Sequence, residues 1–424
     1  MYTNIFKHLR ILIPIMATTL FLTSCISGGK KEQFTENWNG PVEPLTKVSE
    51  YEYEIHSAAQ LAALAQFESF SQNNTYTLKA DIDLEGRVWN PIGNPLQPAK
   101  DGDGETLDKT KMFRGIFDGG GHTIKGLVLP KKKSYIGLFG YISGDRQNAI
   151  VKNLKIELSK GDIDRATCVG VLAGYASYAD IDKISVSGAD LHVKTWSPCI
   201  GGIVGSIWNT NISSSFSSIN IIAEGAPNSV SAGGIAGQST GIIFACYATG
   251  NVSIIGEEHA AAGGIVGTNS GVISDCFAVG NITAESKDYV FAGGIAGSLE
   301  HSDEIGNKIN NCVALNKYIT ASGKRENSFV GRIASKVFEK TSFLNNAANI
   351  NMELVQGDIR YPAANTLNNG TQVKPTSLTK TIFLNTGPLK TNSSGVVIGG
   401  GFGWNSTIWF FPLNELPKLK WQVE

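Results

Sequence analysis

Four groups of residues in this chain have types and spacings that could do chemistry. Gly237-Gln238-Ser239-Thr240-Gly241 has the GxSxG spacing of a hydrolase elbow, where the serine would be a nucleophile. Asp101, Asp103 and Glu105 alternate with glycine, with Asp108 nearby, and are spaced like a calcium loop. That run lacks the distal glutamate and flanking helices of an EF-hand, so it is a weak metal candidate and reads better as a solvated acidic loop. Cys168 and Cys199 are candidates for a disulfide. Finally, Trp196, Asn228, Glu258 and Asp288 recur at steps of 32, 30 and 30 and could form a row of ligand contacts, for a cation or a sugar. The bland alternative is a set of exposed turns. There is no CxxC, no clustered histidine and no HExxH, so zinc and other cofactors are not expected.

These groups take their meaning from the repeat that carries them. The signature Gly201-Gly202-Ile203-Val204-Gly205 returns at Gly233–Gly237, Gly263–Gly267 and Gly293–Gly297. Weaker copies end at Gly140, Gly174 and Ser335, so the last residues of successive copies are separated by 34, 31, 32, 30, 30 and 38. A fixed period near 30 means stacked structural repeats. A second signature follows it: Cys246-Tyr247-Ala248-Thr249-Gly250-Asn251 matches Cys276-Phe277-Ala278-Val279-Gly280-Asn281. Short alternating runs broken by glycine make the class all-β. Seven coils stacked at about 4.8 Å would give a rod roughly 30–35 Å long.

The period settles one of the candidates and places another. One repeat after Ser239 the sequence reads Gly267-Thr268-Asn269-Ser270-Gly271, so the elbow glycines are repeat glycines and the serine is not a nucleophile. Cys168 and Cys199 each stand six residues before the end of a signature, which places them over one another on adjacent coils, within bridging distance. A disulfide and a ladder of small buried thiols are equally compatible with that placement. Cys246, Cys276 and Cys312 fit the ladder.

The ends differ from the repeats. At residues 1–24, Lys7, His8 and Arg10 precede an apolar run too short to span a bilayer. The following Leu22-Thr23-Ser24-Cys25 resembles a bacterial lipobox, which implies cleavage before Cys25 and lipidation of its thiol. Residues 25–50 read as a polar tether, and Lys30-Lys31-Glu32 is a poor version of a surface-export signal. Residues 51–130 hold a strand and a helix begun by a Ser57/Gln60 capping box, which suits an α/β cap leading into the first rungs. The repeats occupy 131–345. Residues 346–424 form a C-terminal region in which Phe402, Trp404, Trp409, Phe410, Phe411 and Trp421 are expected to plug the last coil rather than stack on sugars.

With 36 basic and 37 acidic residues and only 17% charged overall, the chain has no polyanion-binding character, so nucleic acid is not an expected partner. The repeats, the block SAAQLAALAQ…FRGIFDGGGHTIKGLVL before them and the closing Pro417, Leu419 and Trp421 resemble the GLUG-motif surface lipoproteins of Bacteroidota. The resemblance implies a right-handed parallel β-helix-like solenoid, an outer-membrane lipoprotein anchored through Cys25, and a surface or adhesion role toward a glycan or extracellular protein. Some zinc peptidases that cleave immunoglobulin A carry the same repeats, but HExxH is absent here. A lyase or glycosidase on a β-helix needs clustered carboxylates, or carboxylate with Arg or Lys, and between 196 and 300 acids are few and Arg is absent. The expectation is therefore a non-catalytic adhesin or rigid scaffold. A glycan-active enzyme and a structural part of a surface appendage are the alternatives.

Overall fold

The computed structural model describes residues 38–98, 105–144, 147–194, 199–226, 228–300, 307–336, 341–361, 370–412 and 415–424. They form a parallel β-solenoid of seven coils. Each coil contributes one strand to each of two seven-stranded parallel sheets, and several short strands to a third, broader sheet. In the fifth coil, for example, His259–Gly263 lies in the first sheet and Val266–Asn269 in the second. Val272–Ser274, Phe277–Ala278 and Ile282–Glu285 cross the third.

The glycine signature is the hinge between the first two sheets. Its copies stack in register, Gly170 on Gly201, Gly233, Gly263, Gly293 and Gly331. The apolar residue at the centre of each copy points inward. Leu138, Leu172, Ile203, Ile235, Ile265, Ile295 and Ile333 form a fully buried column. Each such side chain contributes about 1.5–3 kcal/mol by leaving water. The second glycine explains why the two signatures travel together. A Cβ on Gly234 would come within 2.5 Å of the Ala248 Cβ, and one on Gly264 within 2.5 Å of the Ala278 Cβ. Glycine on one wall and alanine on the other let the coil close flat.

The third sheet bends sharply at one left-handed residue per coil. Asn153, Lys183, Ser214, Ala245, Asp275, Asn311 and Asn345 all have φ between 47° and 56°. The residue after the bend turns inward, and its side chain receives a backbone N–H from the coil before it. Ile184 N donates to Ser215 Oγ at 3.1 Å, Cys246 N to Cys276 Sγ at 3.3 Å, and Cys312 N to Asn346 Oδ1 at 2.9 Å. The buried thiol ladder expected from the sequence thus does more than fill space, because it satisfies amides that the bend leaves without a sheet partner.

Both ends are closed. Glu52–Ile55, Thr75–Leu78 and Ile116–Asp118 stack in parallel as first rungs. The helix Ala58–Leu64 buries Leu61 and Leu64 over them. Gln60 N donates to Ser57 Oγ at 3.2 Å, and the Gln60 amide returns to His56 N at 2.7 Å, one residue before the N-cap. Thr46–Lys47 at one end and Ile359–Tyr361 at the other pair antiparallel to terminal strands of the third sheet and cover their edges. The solenoid continues past 345, through Ala347–Asn349 and Glu353–Gln356.

The Trp-rich segment is a buried cover, but it lies along the flank rather than over the last coil. Phe383, Phe402, Trp404, Trp409 and Leu419 pack on Tyr247, Phe277, Val313 and Ala347, one residue from each of four coils. Trp421 Nε1 reaches back to Ser214 O at 2.9 Å, and Trp404 Nε1 donates to Asn311 O at 3.0 Å. At the last coil Thr371–Val373 stacks on Ala347–Asn349, Ile359–Tyr361 pairs with Glu353–Gln356, and the buried Arg332 donates to Asn349 O at 2.9 Å, while the tryptophans form a lateral strap.

Candidate functional site

The carboxylates foreseen as a contact row stand together at the turn entering the first sheet. Glu258 N donates to Asn228 O at 3.1 Å, and Tyr289 N to Glu258 O at 2.9 Å, so Asn228, Glu258 and Asp288 climb the solenoid coil by coil. Glu258 is exposed. Asp288 is half-buried and accepts a hydrogen bond from Asn327 Nδ2 at 2.7 Å. Trp196, the fourth member of the expected row, lies outside the described residues.

Beside the carboxylates runs an aromatic ladder. His259 stacks on Tyr289 with ring centroids 5.2 Å apart and an interplanar angle of 14°. Tyr289 lies 6.4 Å from Phe291, and Phe291 stacks on Phe329 at 5.3 Å and 9°. All four rings are at least partly open to solvent. Such pairs contribute about 0.5–1.5 kcal/mol each beyond burial. Rigid ring edges alternating with carboxylates and amides make a surface suited to holding an extended ligand. Reading the sequence missed this ladder, although His259 and Tyr289 are one 30-residue step apart.

Cys168 and Cys199 are in-register partners in the first sheet. Both are free thiols and fully buried. Burial, and then the hydrogen bond with Cys168, push the Cys199 thiol well up, which leaves it protonated and unreactive. Around them Tyr135, Tyr141 and Tyr175 form a cluster with centroids 4.6–6.0 Å apart. Ser239 and Asn269 stack in register, and both are buried, as repeat positions should be. Cys25, Asp101 and Asp103 lie outside the described residues. Glu105 opens the short strand Glu105–Leu107. Among the described residues no three of His, Cys, Asp and Glu gather as a metal site requires.

Asp275 is the most perturbed carboxylate. It sits in the left-handed column beneath the strap, and Asn311 Nδ2 donates to it at 3.2 Å. Burial raises its pKa from 3.8 to about 6, against the lowering effect of that bond. A raised acid favours the neutral form in the fold, so its support is greatest below about pH 4 and fades as pH rises through 6. Asp275→Asn should therefore stabilise the protein at pH 8 and do little at pH 4. A rise from 3.8 to about 6 corresponds to about 3 kcal/mol, which partial solvent exposure reduces to about 1–2 kcal/mol. Melting temperatures of the two proteins across that range should diverge with rising pH.

These features place the chain among the parallel β-solenoids. A solved chain from Bacteroides ovatus, described as a putative immunoglobulin A1 protease, superposes with a TM-score of 0.50 at 19% identity, covering 87% of this chain and 92% of that one. A second, an IgA1 protease, matches with a TM-score of 0.47 at 17% identity over 69% of this chain and 21% of its own length. Halomucin of Haloquadratum walsbyi is 31% identical over 159 residues, 36% of this chain, and the match spans 2% of that protein. No family model matches the chain. The likeness to the Bacteroides ovatus chain shows the shared fold. It also corrects the expectation that the chain is not an enzyme. That expectation rested on the few acids and absent Arg between 196 and 300 and on the missing HExxH, yet a chain with the same fold is described as a putative protease, and a fold does not fix chemistry.

Proposed function

We propose that this chain is a cell-envelope β-solenoid that engages an extended extracellular ligand, protein or glycan, along its flank. The observation that carries the reading is the ladder of His259, Tyr289, Phe291 and Phe329 beside Glu258 and Asp288. A rod of stacked coils presents such rows at fixed spacing, and solenoids use extended faces of this kind to bind. The resemblance to GLUG-repeat surface lipoproteins and the lipobox ending at Cys25 support an outer-membrane anchor that displays the rod outward. Protease shaving of intact cells tests the address. Cleavage of this chain with a periplasmic control intact supports display, while protection until the outer membrane is broken overturns it.

A second reading is favoured by the shared fold with the Bacteroides ovatus chain: the bound ligand is a protein that the chain cleaves. Incubation of the purified protein with immunoglobulin A1, followed by separation of fragments, decides it. New heavy-chain fragments would establish proteolysis, and an unchanged heavy chain would remove this reading.

A further inference from the structure

At the corner between the second and third sheets, two coils differ from the rest. Tyr178 in the second coil and Asn209 in the third adopt φ of 48° and 42°, whereas Thr240 and Ser270 at the same corner in the next coils do not. A tyrosine held left-handed costs about 1–3 kcal/mol. The Tyr178 ring is 46% exposed, and Trp208, which pairs in register with the preceding Ser177 from the next coil, is 44% exposed. The corner is braced: Tyr178 N donates to Trp208 O at 3.1 Å, Thr210 Oγ1 to Trp208 O at 2.9 Å, and Asn209 N to Thr240 Oγ1 at 3.2 Å. Two residues after Tyr178, Asp180 accepts from Asn148 Nδ2 at 3.0 Å and from Asn211 Nδ2 at 2.7 Å. Three planar polar groups on successive coils are thereby fixed in orientation.

We propose that Tyr178 and Trp208, with the Asn148–Asp180–Asn211 row beside them, form a saccharide site that takes neutral pyranose units of a glycan. The assignment rests on the flank-binding reading above and names one ligand class for it. A pyranose has an apolar C–H face, which suits an exposed indole or phenol ring, and a rim of hydroxyls, which suits ordered amides and a carboxylate. Asp180 lies within the amide row and disfavours a uronate carboxylate there, while Asp182, one step along, accepts from Ser213 Oγ at 2.8 Å and pairs in register with Lys152. A protein loop would not need the amide row, and burying Asp180 against an apolar chain would cost affinity.

The test titrates the full chain with cellohexaose, maltohexaose, chitohexaose and hexagalacturonate by calorimetry. At least one neutral sugar should bind with a Kd below about 1 mM, and hexagalacturonate should bind at least about tenfold more weakly. Trp208→Ala should weaken the neutral sugar by about tenfold or more. Tyr178→Gly removes the ring and the left-handed strain together, so it should lose affinity while its melting temperature rises, which separates a binding role from a packing role. No neutral sugar binding, or unchanged affinity in Trp208→Ala, overturns the saccharide assignment. If a matrix protein binds the same preparation while every sugar fails, the flank-binding reading survives and this site's ligand class falls.

Discussion

Gly263→Ala should destabilise the protein by about 3 kcal/mol or more, a large effect for adding a single methyl group. The new Cβ would fall on the Val266 carbonyl oxygen and lie 2.6 Å from the Gly297 amide nitrogen. Both are backbone atoms, held by the hinge of their own coil and by the next coil, so neither can swing aside as a flexible side chain would. The hinge must open, and the Ile265 column beneath it must shift with it. Because a solenoid couples each coil mainly to its neighbours, the damage should spread first to the fourth and sixth coils. Gly399→Ala is the matched control. Its nearest foreign atom is the Lys390 Cδ at 3.9 Å, and the change should stay within about 0.5 kcal/mol. Thermal unfolding followed by circular dichroism reads both. A Gly263→Ala protein melting with the wild type would sink the close-approach account of the signature.

The same geometry explains what could be read in advance. Coils that stack in register repeat their sequence constraints, so the period, the glycine hinge, the inward isoleucine column and the thiol ladder all appear as spacing. The Ser57–Gln60 cap is local and was equally visible. What stayed hidden is what the period does not carry. The strap joins Trp404 and Trp421 to Asn311 and Ser214, 93 and 207 residues away, and nothing repetitive marks those pairings. Aromatic residues near a solenoid's end suggest a plug, and only the structure shows that other residues close the end. The His259–Phe329 ladder was hidden differently. Its steps of 30 and 38 straddle the one long repeat, so Phe291 and Phe329 do not align until the coils are drawn. Trp208 pairs in register with Ser177, and Tyr178 shares its left-handed corner with Asn209, so neither ring has an aromatic counterpart for spacing to reveal.

Trp404→Ala should loosen the strap by about 3–5 kcal/mol. The indole is nearly fully buried, stacks on Trp409 at 4.7 Å, and donates its N–H to Asn311 O. Its loss leaves a cavity against Phe277 and Phe383 and an unpaired carbonyl at the left-handed bend. The consequence should be local, because the strap covers the solenoid's outer flank and leaves the inward columns untouched. Hydrogen exchange should quicken in residues 374–424 and along Phe216, Tyr247 and Phe277, while the strands flanking Ile235 and Ile265 keep their protection. A plug over the last coil would behave differently, loosening the seventh coil first and sparing the fourth. Trp421→Ala offers the complementary cut. It frees the strap only at the third and fourth coils, where its indole meets Ser214 O and the adjacent Gln422 accepts from Tyr247. If Trp404→Ala leaves exchange at Tyr247 and Phe277 unchanged, the strap does not stabilise the flank. The aromatic row beneath it would then be held by its own stacking, Phe216 on Tyr247 at 4.3 Å and Tyr247 on Phe277 at 4.7 Å.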